Sequence, residues 1–224
     1  MTLEADSERR RVFIVDDHPL VREWLTNLIN QQPDLRVCGE AATAAEATQA
    51  VTDAKPEVAI VDISLKDSSG IELIKVLKHS FPDLVILVLS MHEESHYAER
   101  ALRAGAKGYI MKRETTKRVI EAIRTVMAGK YYLSEPMDQL ITAQFVEGKT
   151  LAALSSVELL SDRELAVFDL LGQGLSTRRI AETLRLSTKT VQAYCGRIKE
   201  KLNLSSANEL VREAVRRNEA ISPQ

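Results

Sequence analysis

Cysteine is nearly missing from this chain of 224 residues: Cys38 and Cys195 are its only two. They stand far apart in apolar surroundings, without the close spacing of a metal-ligand set. That count excludes a disulfide framework and makes a reduced, cytoplasmic protein the expectation. Long apolar runs are missing too, none approaching the ~18 residues that a membrane-spanning helix needs. At the start, MTLEADSERRRVFIVDD sets basic residues before an apolar stretch, but Asp16 and Asp17 end it too soon for a signal peptide. Nor is one sign of charge in excess. A formal net charge of −2 gives no global indication of a nucleic-acid partner.

What is present fits a globular protein of one large domain or two ordinary ones: 45% of residues are hydrophobic and 28% charged. Residues 156 to 224 carry 11 Lys and Arg against 9 Asp and Glu, the rest 19 against 23. That asymmetry is too mild to point to DNA by itself. Up to about residue 130, strand-like runs at VFIVD (12–16), LRVCGE (35–40), VAIVD (58–62), LVILVLS (84–90) and KGYIMK (107–112) alternate with helical patterns. The first of these patterns, LVREWLTNLINQ, puts Leu20, Trp24, Leu25, Leu28 and Ile29 on one stripe. Five strands and five helices in alternation imply an α/β fold with a mostly parallel sheet covered on both faces. The unbroken apolar runs at 58–62 and 84–89 suit strands buried on both sides. Residues 131–155 read as a connector, partly helical around 135–146. From 156 to 220 the pattern is all-α, four short helices opened by Ser161, Ser176, Ser187 and Ser206, with capping boxes at Ser161–Glu164 and Ser206–Glu209.

In an open parallel sheet, ligands gather at the carboxyl ends of the strands, where strand order reverses. Strand one ends in Asp16-Asp17, strand three in Asp62, strand four in Ser90, and strand five runs to Lys112. One aspartate after a strand is ordinarily a turn or cap. Three of them, with a hydroxyl and an ammonium, each at a strand end, are hard to attribute to caps. Clustered carboxylates favour a divalent cation such as Mg²⁺. One carboxylate can then attack a phosphoryl group while the cation, the lysine and the hydroxyl stabilise its oxygens. An aspartyl-phosphate hydrolase would share much of this, but it needs a second acid two residues after the nucleophile, and Ser64 stands there.

The stretches VFIVDDHPLVRE, VDISLKDSSGIEL, VLSMHEE and RAGAKGYIMK resemble the receiver domain of two-component response regulators, across residues 11 to about 130. The resemblance implies a flavodoxin-like, doubly wound five-stranded parallel sheet over residues 10–130. It implies that Asp62 accepts a phosphoryl group from a sensor histidine kinase, with Mg²⁺ held by Asp16, Asp17, Asp62 and the backbone carbonyl of Ser64. Ser90 would bond a phosphoryl oxygen, Lys112 would pair with it, and Tyr109 would be the aromatic that swings inward as the hydroxyl moves. Two positions depart from the common pattern, Lys66 and Arg113, where many receivers have proline.

In STKTVQAYCGRIKEKLNL, Val191, Cys195, Ile198 and Leu202 form one apolar stripe, and Lys189, Gln192, Ala193, Gly196 and Arg197 face the other way. Small residues there would let a helix approach the floor of a major groove. Lys189 and Gln192 could read base edges, and Thr190, Arg197, Lys199, Arg178 and Arg179 could contact phosphates. By itself the pattern is better read as an ordinary solvated helix face. The stretch from Leu160 to Val211 resembles the four-helix, helix-turn-helix DNA-binding domain of the NarL/LuxR type. That likeness implies a recognition helix at about 188–202, with Gln192, Ala193 and Gly196 where relatives make base contacts. Together the two resemblances imply a cytoplasmic regulator of transcription rather than an enzyme. Its expected partners are the kinase, a pseudo-palindromic double-stranded DNA site bound by a homodimer, and RNA polymerase as a further candidate; no membrane partner is expected. A receiver serving only as a phosphate-independent dimerisation scaffold is the other reading, and the intact acidic set argues against it.

Overall fold

A computed structural model describes residues 9–65, 68–139, 159–184 and 186–221. The chain forms two compact units, one ending at Ala143 and one beginning at Gln144. No helix among the described residues is long and apolar enough to cross a membrane.

The first unit is a five-stranded parallel sheet in the order β2-β1-β3-β4-β5. Its strands are β1 (Arg10–Val15), β2 (Leu35–Ala41), β3 (Val58–Val61), β4 (Val85–Ser90) and β5 (Gly108–Met111). Each leads into a helix: α1 (Pro19–Asn30), α2 (Ala44–Ala54), α3 (Gly70–Ser80), α4 (Glu94–Ala104) and α5 (Thr116–Met127). All four residues of β3 are buried, because the strand lies at mid-sheet with both faces covered. Side chains alternate across the sheet. Val12, Ile14, Val58, Ile60, Leu87 and Leu89 therefore meet Leu25 and Ile29 of α1 and Val119, Ile123 and Val126 of α5 in one core.

The chain leaves β1 toward β2 on one side and returns to β3 on the other, so strand order reverses between β1 and β3. The register pairs Val15 with Val61 and Val61 with Val88, bringing the carboxyl ends of three strands level. Backbone bonds continue past the strand ends, from Asp62 N–H to the Val15 carbonyl (2.8 Å) and from Lys112 N–H to the Ser90 carbonyl (2.8 Å). The loop after Asp62 folds back so closely that a Cβ on Gly70 would collide with the Asp62 carbonyl oxygen. Only glycine fits there, and Ser69 caps α3 beside it by accepting from Ile71 N–H (3.1 Å).

One expectation fails in α1. Leu20 is 79% exposed, and Val21 takes the place expected for it against the core, alongside Trp24 and Leu28. The spacing 21, 25, 28, 29 follows the helix, and Leu20 sits about 100° off it in the first turn. The expected helix around 135–146 is described only to residue 139, and 135–139 is helical.

Among the described residues of the second unit the elements are four helices: α6 (Asp162–Gly172), α7 (Thr177–Leu184), α8 (Thr188–Lys201) and α9 (Ala207–Ile221). Ser161 and Glu164 close a reciprocal capping box on α6. At α9 the reach is one residue longer, since Ser206 Oγ accepts from Glu209 N–H while Glu209 accepts from Ser205 N–H. Phe168, Ile180, Val191, Ile198 and Leu210 are buried, and Gly172 lets α6 lie against the Ala214 backbone of α9.

Candidate functional site

At the level carboxyl ends, Asp16, Asp17 and Asp62 are 2%, 7% and 2% exposed, and a ligand atom from each lies within 4.8 Å of the others and of His18. Lys112 arrives from the end of β5 and places its Nζ 2.6 Å from Asp16 Oδ2 and 2.7 Å from Asp62 Oδ2. The other Asp62 oxygen accepts from Ser64 N–H (3.1 Å). Burial pushes the Asp62 carboxyl above the usual carboxylate range; Lys112 opposes this and the Asp16 charge adds to it. Burial works against the charge on Lys112 as well, but Asp62 and Asp16 outweigh it and hold the ammonium above the usual lysine range.

Two of the three clustered carboxylates, Asp16 and Asp62, thus share the Lys112 ammonium, and negative charge gathered in so dry a place is costly. The donor set fits a hard divalent cation: several carboxylate oxygens, with a backbone carbonyl at Ser64 close by in sequence. His18 was not assigned a role from the sequence. Its Nδ1 lies 2.7 Å from Asp17 and 3.0 Å from Asp16, and its N–H is held by Asp16 (2.8 Å). Arg22 fixes the other end of the residue by donating to the Asp16 carbonyl (2.7 Å).

Ser90 is fully buried at the end of β4, and its Oγ accepts from His92 N–H (3.1 Å). His92 also escaped the sequence reading. Its Nε2 is 2.8 Å from Ser64 Oγ, joining the loop after β3 to the loop after β4. Tyr109 points inward, 1% exposed, and its hydroxyl donates to the His92 carbonyl (2.9 Å). Burial lifts that phenol far above the usual tyrosine range. Position alone hinted at His92, since a residue two after a strand-end serine sits on the same rim. The contact itself crosses 28 residues of chain, and no local pattern encodes it. Arg113 turns away from the cluster to pair with Glu93 (2.8 Å). Lys66 lies outside the described residues.

On the helical unit, the Ser187 hydroxyl starts α8 by accepting from Thr190 N–H (3.0 Å). Val191 and Ile198 are buried, while Cys195 and Leu202 are only half-buried, so the apolar stripe is narrower than its spacing suggests. Lys189, Gln192, Ala193 and Arg197 are exposed, Thr190 and Lys199 half-exposed, and the space where a Cβ on Gly196 would lie is open. The Arg197 guanidinium sits over the Tyr194 ring, 5.2 Å from its centroid. Arg178 and Arg179 both pair with Glu182 (3.3 and 3.2 Å), a carboxylate with which any phosphate partner must compete. Lys201, at the end of α8, reaches the buried Glu164 (2.7 Å) and fixes that helix against α6.

Residues 12–124 match the family described as response regulator receiver domain, and residues 158–214 that described as bacterial regulatory proteins, luxR family. The chain is 37% identical over 211 residues to the oxygen regulatory protein NreC of Staphylococcus carnosus, a span of 92% of this chain and 97% of that protein. With NreC of Staphylococcus epidermidis the identity is 36% over 212 residues, covering the same shares. Among solved structures it resembles RcsB from Salmonella enterica serovar Typhimurium, bound to a promoter in the presence of phosphomimetic BeF3−. The TM-score is 0.58 at 25% identity, covering 91% of this chain and 97% of that one. A two-component response regulator of the LuxR family from an Aurantimonas species gives a TM-score of 0.57 at 33% identity, covering 62% of this chain and 99% of that one.

Proposed function

Because the chain belongs to the response regulators that join a receiver domain to a luxR-type DNA-binding domain and regulate transcription, we propose that Asp62 is its phosphoryl acceptor and a sensor histidine kinase its donor. The observation that carries this is the buried cluster of Asp16, Asp17 and Asp62, two of which, Asp16 and Asp62, hold the Lys112 ammonium. An Asp62 carboxylate oxygen forms a bond to the donor's phosphorus as the donor's own bond to that phosphorus breaks. Lys112, already oriented by Asp16, stays as counter-ion to the new phosphoryl group. The Ser90 hydroxyl donates to one of its oxygens, and Tyr109 packs behind. Asp16, Asp17, Asp62 and the Ser64 carbonyl would hold Mg²⁺, which supplies charge neutralisation on the transferring oxygens. Ser64 offers no acid for hydrolysis, in keeping with an acceptor rather than a hydrolase.

Phosphorylation then changes dimerisation or domain contacts, and with them DNA affinity. The exposed face of α8 enters the major groove, with Lys189, Gln192, Ala193 and Gly196 toward base edges. Thr190, Arg197, Lys199, Arg178 and Arg179 contact phosphates. Two copies on a pseudo-palindromic site would set the half-site spacing, with RNA polymerase as a further contact, and the kinase and DNA together put the chain in the cytoplasm. The domain limits proposed are 10–130 and 156–220, with 131–155 between. Incubation with acetyl phosphate and Mg²⁺ followed by intact mass tests the acceptor: one phosphoryl adduct on the wild type and none on Asp62→Asn. An undiminished adduct on the variant would overturn it.

A further inference from the structure

Beyond α5 the chain does not leave the sheet unit. Gly129 (φ +82°) turns it back, and Tyr132 forms a parallel bridge to Gly108 on the outer edge of β5. Tyr132 N–H donates to the Lys107 carbonyl (3.0 Å), and Tyr109 N–H donates to the Tyr132 carbonyl (2.9 Å). Gly108 makes this approach possible, because a Cβ there would stand 2.9 Å from the Tyr132 oxygen. Two further contacts fasten the segment. Lys107 Nζ lies over the Tyr131 ring, 4.2 Å from its centroid, and Ser134 N–H donates to Glu94 Oε1 (2.9 Å). Glu94 belongs to α4 and is 9% exposed, and Met137 is 5% exposed. An otherwise open sheet edge is thereby covered by the piece of chain that leads toward the helical unit.

Tyr109 is common to this fastening and to the acidic site. Its backbone N–H holds the Tyr132 carbonyl, while its hydroxyl holds the His92 carbonyl, whose own N–H and ring meet Ser90 and Ser64. We propose that the segment Tyr131–Met137 is a strap that reads the state of the acidic site through Tyr109, and that a phosphoryl group on Asp62 tightens it. The proposal rests on Asp62 being the acceptor. A phosphoryl group draws the Ser90 hydroxyl, and with it the loop at His92, toward Asp62. Tyr109 is then clamped between that loop and the sheet, and its main-chain bond to Tyr132 opens less often. Glu94 is the positioning residue of the strap: it touches no reacting atom, and its carboxylate decides whether Ser134 stays down. Coupling of this kind is reciprocal, so loosening the strap must weaken the site by the same factor by which occupying the site tightens the strap.

The experiment is amide hydrogen exchange on the full chain with Mg²⁺, with and without BeF3−, read at Tyr109, Tyr132 and Ser134. Acetyl phosphate loading of the same samples is scored by intact mass. Exchange at the three amides is expected to slow about fivefold or more when BeF3− binds. E94A should still take its adduct, while Ser134 and Tyr132 exchange about fivefold faster without BeF3− and BeF3− binds correspondingly more weakly. E94Q keeps an acceptor oxygen and should behave as the wild type. A chain that loads and leaves these amides unchanged would overturn the strap alone, as would E94A with wild-type exchange at Ser134. A chain that takes no adduct would overturn the acceptor reading and the strap with it.

Discussion

Asp62→Asn should make the sheet unit more stable, not less, when no divalent cation is supplied. Ligand atoms of Asp16, Asp17 and Asp62 lie within 4.8 Å of one another. At an effective dielectric near 20, each such contact with Asp62 costs at least about 3.5 kcal/mol. Lys112, at 2.7 Å, returns about 6 kcal/mol to Asp62 on the same scale. The two repulsions therefore exceed the attraction by about 1 kcal/mol, and desolvation of a carboxylate this deeply buried widens the deficit. Asparagine keeps the shape and an oxygen for Ser64 N–H, and Lys112 keeps Asp16. A gain of about 1–2 kcal/mol in EDTA is expected from these two effects together. Urea unfolding followed by the fluorescence of Trp24, the chain's one tryptophan, reports on this unit alone, since Trp24 packs against the sheet core. The pH dependence has a definite sign. A raised folded pKa means the Asp62 penalty is absent below the ordinary carboxylate range and grows as pH rises through the folded value, so the advantage of the variant should vanish toward pH 4. Adding Mg²⁺ should stabilise the wild type more than the variant, by up to about 2.7 kcal/mol at a hundredfold excess over its Kd. A variant less stable than wild type in EDTA, or equal gains from Mg²⁺ in both, would refute the electrostatic account.

Lys112→Ala should do the opposite, leaving buried carboxylates uncompensated at a cost of about 3–5 kcal/mol in EDTA by the same urea assay; a loss below about 1 kcal/mol would mean that the ammonium is not what balances them. Gly172→Ala should drive a methyl into the Ala214 backbone and cost the helical unit about 1–3 kcal/mol, measured as weakened DNA retention with the Asp62 adduct unchanged. In the same unit burial pushes Glu164 upward, but Lys201 and Ser161 outweigh it and its carboxyl ends below the usual range. Its contribution is thus full above about pH 4.5 and lost as pH falls through the depressed folded value, so E164Q should flatten the acid limb of unfolding followed by Phe168 resonances. Arg197→Ala should weaken retention on genomic fragments and lower its salt slope by about one, as loss of a phosphate contact would, whereas Lys189→Ala should weaken retention and relax the choice among fragments.

The sheet was legible because its strands are short apolar runs that each stop at a polar residue, and the topology of parallel sheets alone brings those stops to one edge. Asp16, Asp17, Asp62, Ser90 and Lys112 could therefore be gathered from positions up to 96 residues apart. What periodicity could not supply is which side chain meets which across loops. His92 finds Ser64, and Glu94 finds Ser134, only because the chain has already folded. Leu20 is exposed for a related reason: apolar character at a helical spacing marks a stripe, but in the first turn of α1 it is Val21, one residue on, that faces the core. In α8 the apolar spacing identified the buried side, while the pairing of Arg178 and Arg179 with Glu182 depended on rotamers that no spacing encodes.

Under the proposed function, occupancy of Asp62 sets the affinity of the chain for DNA. The most direct test is fluorescence anisotropy on pooled genomic fragments at fixed salt, comparing wild type and Asp62→Asn with and without BeF3− and Mg²⁺. An affinity change of about fivefold or more in the wild type, absent in the variant, is the expected result. Equal affinity in all four conditions, or a variant that responds as the wild type does, would contradict it.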